Sequence, residues 1–138
     1  SIMKGELPME VSDLEDDIAG LEIRINKLNE QIQALEKEIS NHEGNIKNAE
    51  LLITKYQTQL DNVKNNREFE ALTKEIEMQH LEIKLSEKRI REFSVQLESK
   101  KKTLGANQER FDSKKENLEA KKEELDKIIE KTVKEHLK

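Results

Sequence analysis

The chain has 138 residues, 40% of them charged and 33% hydrophobic, with four aromatic side chains (Tyr56, Phe69, Phe93, Phe111), one proline, no cysteine and a net charge of −5. That is too few apolar and aromatic side chains for a globular core several side chains thick, and it is the composition of long helices that each bury one narrow stripe. Disulfides and thiolate metal sites are excluded from the chain; its longest aliphatic run, Leu51 to Ile53, is far below the roughly 20 residues of a membrane span.

In chain order, the opening SIMKGELP reads as the interior of a longer protein, so residues 1–10 are expected to be a lead-in segment. No basic-then-apolar start marks a signal peptide, and a cytoplasmic location is the expectation. From Val11 the apolar residues recur at alternating spacings of three and four. Position a is Val11, Ile18, Ile25, Ile32, Ile39, Ile46, Ile53 and Leu60; position d is Leu14, Leu21, Leu28, Leu35, His42, Ala49, Tyr56 and Val63. So sustained a heptad predicts a coiled-coil helix over 11–64, roughly 80 Å long at 1.5 Å per residue.

Beyond Val63 the register fails, because the next a and d positions hold Arg67, Glu70, Lys74 and Glu77. The stripe restarts at Phe69 and runs through Ile76, Ile83, Ile90, Leu97, Leu104, Phe111, Leu118 and Leu125. The phase has slipped by two residues, whereas coiled coils absorb insertions of three or four. Two residues rotate the stripe by about 200°, so a single straight helix would turn its second half away from its partner.

A reversal over residues 65–68 removes the conflict and predicts a second helix over 69–138. Asn65 and Asn66 suit it, since Asn tolerates the left-handed conformation of a helix stop and its side chain caps the next helix start. Glu68, three residues after Asn65, fits a capping box. With the turn centred on Asn66, residue i faces roughly 132 minus i: Val63 meets Phe69, His42 meets Ile90, Ile39 meets Phe93 and Leu21 meets Phe111. The expected fold is therefore all-α, a long antiparallel two-helix coiled-coil hairpin, with Phe69, Leu72 and Ile76 closing the turn end of its core.

The second d series turns polar after Phe93, so Ile32, Ile25 and Ile18 would face Lys100, Asn107 and Lys114. Either the lysine stems cover these isoleucines, or Ile18, Ile25 and Ile32 form a second packing surface for another chain. The first half of the sequence, to Lys64, carries 13 acidic and 7 basic residues and the remainder 17 and 18, a difference that favours the two lying side by side.

A two-helix hairpin has no concave site in which polar groups converge, so no enzyme is expected. His42, His80 and His136 lie far apart without carboxylates at ligand spacing, and neither a cofactor nor a metal is expected in this chain. Gly105 marks a soft point in the second helix. The lysines at 100–102, 114–115 and 121–122 are interleaved with Glu116, Glu119, Glu123 and Glu124 and read as a solvated face, with nucleic-acid binding through it as an alternative. A parallel homodimer, suited by Ile at a and Leu at d of the first arm, is the other alternative, but it leaves the slip unexplained.

The stretch VKNNREFEALTKEIEMQHLEIKLSEKRIREF (63–93), with GELPMEVSDLEDDIAGLEIRI (5–25) upstream, resembles the bacterial family that joins a coiled-coil hairpin to a four-cysteine zinc ribbon, its Bacteroidetes-type members most. The residues that match the family's turn motif are Asn66, Arg67, Glu68, Phe69, Leu72, Glu75 and Ile76. The resemblance implies a helical hairpin fragment of a longer protein. Zinc is implied for the full-length family only, since no residue here matches a ribbon ligand. It also implies a role as a nucleic-acid-binding protein or regulatory adaptor, with nucleic acid reached through the ribbon. For this chain the expectation is a spacer and protein-docking scaffold, with a protein partner or a second copy and no membrane contact. The contact is expected at Asn65, Asn66, Arg67, Glu68, Phe69, Leu72, Glu75 and Ile76, with Arg67 as its exposed centre unless it pairs with a neighbouring glutamate.

Overall fold

The computed structural model describes residues 5–137, and among them it contains two helices and no strand: α1, Glu6–Leu60, and α2, Asn66–His136. The two pack against each other as a helical hairpin. Helix α1 begins five residues before the expected Val11. Leu7 precedes Val11 by four positions, which puts it on the same stripe, and it is 5% exposed. Pro8 sits in the first turn, where a missing N–H leaves no helical bond unmade, and the Met9 N–H closes the helix on the Gly5 carbonyl at 3.4 Å. The expected lead-in is thus helical from Glu6; residues 1–4 of it lie outside the described residues.

The chain forms two compact units, each built from a stretch of both helices. The first joins the residues up to Glu30 with those from Lys101 onward. In it α1 buries Leu7, Val11, Ile18, Leu21, Ile25 and Leu28. Leu104, Asn107, Phe111, Lys114, Leu118, Lys121, Leu125 and Ile128 of α2 are half-buried at the same three-and-four spacing. Three ion pairs cross between the helices: Lys114 Nζ to Asp17 at 2.8 Å, Lys121 Nζ to Glu10 at 3.1 Å and Lys122 Nζ to Glu15 at 4.0 Å. Seven residues forward on α1, from Glu10 to Asp17, match seven residues back on α2, from Lys121 to Lys114. Helix α2 passes through Gly105 without a break.

Ile18 and Ile25 are only 8% and 9% exposed in the single chain, and in the second unit Ile32 is 7% exposed. The expected second packing surface at these three residues is therefore corrected: the chain covers them itself. Lys114 shows how. Its side chain is only 30% exposed and its amine reaches Asp17, the neighbour of Ile18, so the stem lies along the apolar stripe while the charge sits at the edge.

The second unit, Gln31–Lys100, carries the turn. Its most covered residues are small, Ser86 at 1% and Ala49 at 2%, with Ile32 and Ile53 buried in the same α1 stripe as Ala49. The ring of His42 stacks on Phe93, centroids 5.9 Å apart and 24° between planes. The sequence register placed Ile90 opposite His42 and Ile39 opposite Phe93. Helical side chains lean toward the N-terminus of their own helix, so the long Phe93 ring covers the turn before its own Cα.

Candidate docking surface at the hairpin turn

Helix α1 ends with two tightened turns, in which Asn62 N–H bonds the Gln59 carbonyl at 3.1 Å and Val63 N–H bonds that of Leu60 at 3.3 Å. These bonds satisfy carbonyls that a helix end otherwise leaves to water. No described residue has a positive φ, so the left-handed stop expected of the asparagines is not used. The turn occupies residues 61–65 rather than 65–68, because the 3₁₀-type bonds stop α1 at Leu60 and the cap of α2 already stands at Asn65.

The Asn65 side-chain cap forms, but the Glu68 carboxylate returns no hydrogen bond to the Asn65 N–H, so the expected capping box is half made. Asn65 Oδ1 accepts the Glu68 N–H at 2.9 Å, and the Phe69 N–H closes the first helical bond on the Asn65 carbonyl at 3.2 Å. Asn65 is therefore the N-cap and Asn66 the first residue of α2, not a second cap. Glu68 lies in the first turn, where the helix dipole favours a negative charge.

At this end Asn65, Asn66, Arg67, Glu68 and Phe69 are all exposed, while Leu72, Glu75 and Ile76 are half-buried. Leu72 and Ile76 close the core as expected, but Phe69 does not, being 52% exposed. The residue opposite Phe69 in the sequence register is Val63, and Val63 lies beyond the end of α1, where no helix remains to cover an aromatic ring. Arg67 makes no ion pair among the described residues, so the pairing with a neighbouring glutamate does not form. Phe69 lines a shallow groove with Glu70, Thr73, Lys74 and Glu77. Sequence reasoning missed Glu70, Thr73, Lys74 and Glu77, because the heptad pattern treats Phe69 as core; the signal available was the loss of its partner once α1 stops.

Two of the three basic runs of α2, 114–115 and 121–122, are occupied by the chain. Lys114, Lys121 and Lys122 hold carboxylates of α1, and Lys115 Nζ lies 5.2 Å from the centroid of the Phe111 ring. Lys114 donates a hydrogen bond to Asp17, and that bond with the lysine's charge holds the Asp17 carboxyl below its ordinary 3.8. Asp16, Asp17, Arg24, Arg110 and Lys114 line a shallow cleft of mixed sign in the first unit. No group of three or more His, Cys, Asp or Glu able to hold a metal ion occurs among the described residues, and the cysteine-free chain offers no ligand for a zinc ribbon. No helix among the described residues is long and apolar enough to cross a membrane. The chain has no significant match among protein-family models, curated proteins or solved structures.

Proposed function

We propose that this chain is an antiparallel coiled-coil hairpin arm of a longer cytoplasmic zinc-ribbon protein, acting without catalysis as a spacer whose turn end docks a protein partner. The observation that carries the reading is Phe69, half exposed on a rigidly capped helix start with exposed Arg67 two residues before it. Aromatic and arginine side chains on a preorganised surface are the residue types that dominate protein interfaces. The opposed order of the ion pairs in the first unit supports the antiparallel reading, and the recurrence of buried residues at heptad spacing supports the coiled coil.

The nucleic-acid alternative through the second helix has lost Lys114, Lys121 and Lys122 to intramolecular pairs, and the parallel homodimer does not account for a chain that folds back on itself. In the full-length protein, nucleic acid would be the business of the ribbon.

The test is co-purification of the full-length protein from its host, followed by titration of the purified partner. Arg67→Ala and Phe69→Ser should each weaken the partner's Kd about tenfold or more and leave the melting curve nearly intact. Unchanged affinity in both variants overturns the docking role; a large loss of helicity in Arg67→Ala assigns that residue to the fold instead.

A further inference from the structure

Helix α2 carries a second apolar stripe that the hairpin does not use. Met78, Leu81, Leu85 and Val95 are exposed to 59%, 64%, 49% and 72%. Their spacings of three, four and ten keep to one heptad pattern, the last being a heptad plus three. Ala71, Lys74, Lys88 and Glu92 fill its remaining positions from 71 to 95. The stripe that faces α1 in this stretch, Leu72, Ile76, Ile83 and Ile90, lies about 180° round the helix at 100° per residue. The free stripe is therefore on the outside of α2, within the Gln31–Lys100 unit. Isolated exposed apolar residues are ordinary, but a heptad stripe on an outer helix face is a packing surface awaiting a helix.

We infer that this face pairs with the same face of a second copy of the chain, the two α2 helices running antiparallel about a two-fold axis beside Ile83. The charges select that occupant and that direction. In the register where residue i faces 166 minus i, Leu81 meets Leu85, Ala71 meets Val95, the Lys88 stem covers Met78, and Lys74 meets Glu92 of the other copy. The flanking positions then bring Glu75 against Arg89 along one edge and Glu77 against Arg91 along the other. A two-fold axis makes every one of these contacts twice. Between residues 71 and 95 like charges meet only at the axis, Glu82 on Glu82 and Lys84 on Lys84; just outside, Glu70 meets Glu98. A parallel pairing would instead stack Lys74, Lys88 and Glu92 each on its own counterpart in the centre of the interface, which heptad pairing penalises. Arg89 already holds Glu92 at 3.3 Å with both side chains about half exposed, so the carboxylate at stripe position 92 is drawn toward the flanking Arg89 before a partner arrives.

The face reaches the turn end: Arg67 lies one heptad before Lys74 on the same stripe and in this register faces position 99 of the other copy. Lys74 also lines the Phe69 groove, while the Phe69 position, about 140° round the helix from the stripe, is left open. Two copies of the proposed docking end would then point in opposite directions from one assembly.

The test is sedimentation equilibrium of the purified chain with distance measurement between spin labels. The wild type should pass from monomer to dimer as concentration rises, with Kd falling as salt is lowered. Leu81→Asp with Leu85→Asp should weaken the dimer at least about 100-fold, and because both positions are exposed the helical content of the monomer should not change. Lys74→Glu should weaken it and Lys74→Glu with Glu92→Lys should restore it. A label at Lys84 should lie close to its copy in the dimer, while a label at Glu98 should lie about 45 Å along the axis from its own, from about 30 residues at 1.5 Å each. A monomer at all concentrations, a dimer indifferent to the two aspartates, or equal distances from both labels overturns the inference.

Discussion

Replacing Ser86 by leucine sets the heptad rule against the packing of the folded chain. Ser86 occupies a d position of α2, where Leu is favoured in coiled coils, and by that rule the substitution gains roughly 1.5–3 kcal/mol from burying the larger side chain. The structure reverses the sign. Ser86 is 1% exposed and Ala49 2% exposed, the two most covered side chains among the described hydrophobic and polar core residues. They belong together: Ala49 is one heptad on from His42 and Ser86 one heptad back from Phe93, the pair that stacks. A position with almost no accessible surface and a small side chain opposite has no room for a branched four-carbon side chain. Overpacking of this kind costs about 1–3 kcal/mol. With an unfolding entropy of about 2.1 cal/mol/K per residue, each kcal/mol shifts the Tm of a chain this long by roughly 3–4 °C, so the expected fall is roughly 3–10 °C. The assay is a thermal melt followed by far-ultraviolet circular dichroism, at a concentration where the wild type is a single species. Lys100→Leu is the control: it also sits at d, but it is half-buried against a stretch of α1 that contains buried Ile32, and the same residue there should raise Tm by about 3 °C, or about 1 kcal/mol. A rise in Tm for Ser86→Leu refutes the small-residue layer.

Asn65→Ala removes the acceptor for the Glu68 N–H and should cost about 1 kcal/mol in a urea titration, whereas Asn65→Asp should keep nearly all of it; equal losses would show that the side chain does not cap. His42 carries a buried Nδ1 without a hydrogen-bond partner, so His42→Leu should stabilise by about 1 kcal/mol even after the stacking on Phe93 is lost; a destabilised variant would show that stacking outweighs the orphan nitrogen. At Gly105 an added Cβ meets nothing within 4 Å, and Gly105→Ala should gain about 1 kcal/mol, a gain that a strained or kinked site would not return. Because the Asp17 carboxyl titrates below its ordinary 3.8 in the folded chain, the unfolded state binds more protons there and stability rises with pH through that window. The contribution is complete above the ordinary value and is lost as pH falls through the lowered one. Asp17→Asn should flatten the dependence of the urea midpoint on pH below about 4, and an unchanged acid slope would show that the Lys114 pair does not persist in solution.

Periodicity by itself determined that the chain is two helices joined by one reversal. Two heptad stripes out of phase by two residues cannot belong to one helix with one partner, and the slip falls between Val63 and Phe69 wherever the helix ends are drawn. The cap at Asn65 was legible for the same local reason, since a side-chain oxygen three residues before a free N–H needs no distant contact. The tertiary structure decided what covers each stripe. Ile18, Ile25 and Ile32 face polar positions in sequence, but a lysine presents four methylenes before its charge, and the letter K does not say whether that stem lies on a neighbour or in water. Phe69 reads as core because it opens a stripe; it is exposed because two 3₁₀-type bonds end α1 at Leu60, and hydrogen bonds at a helix end are settled by the turn as a whole. Heptad letters likewise treat Ser86 as a weak position, whereas the folded chain leaves it almost no free surface.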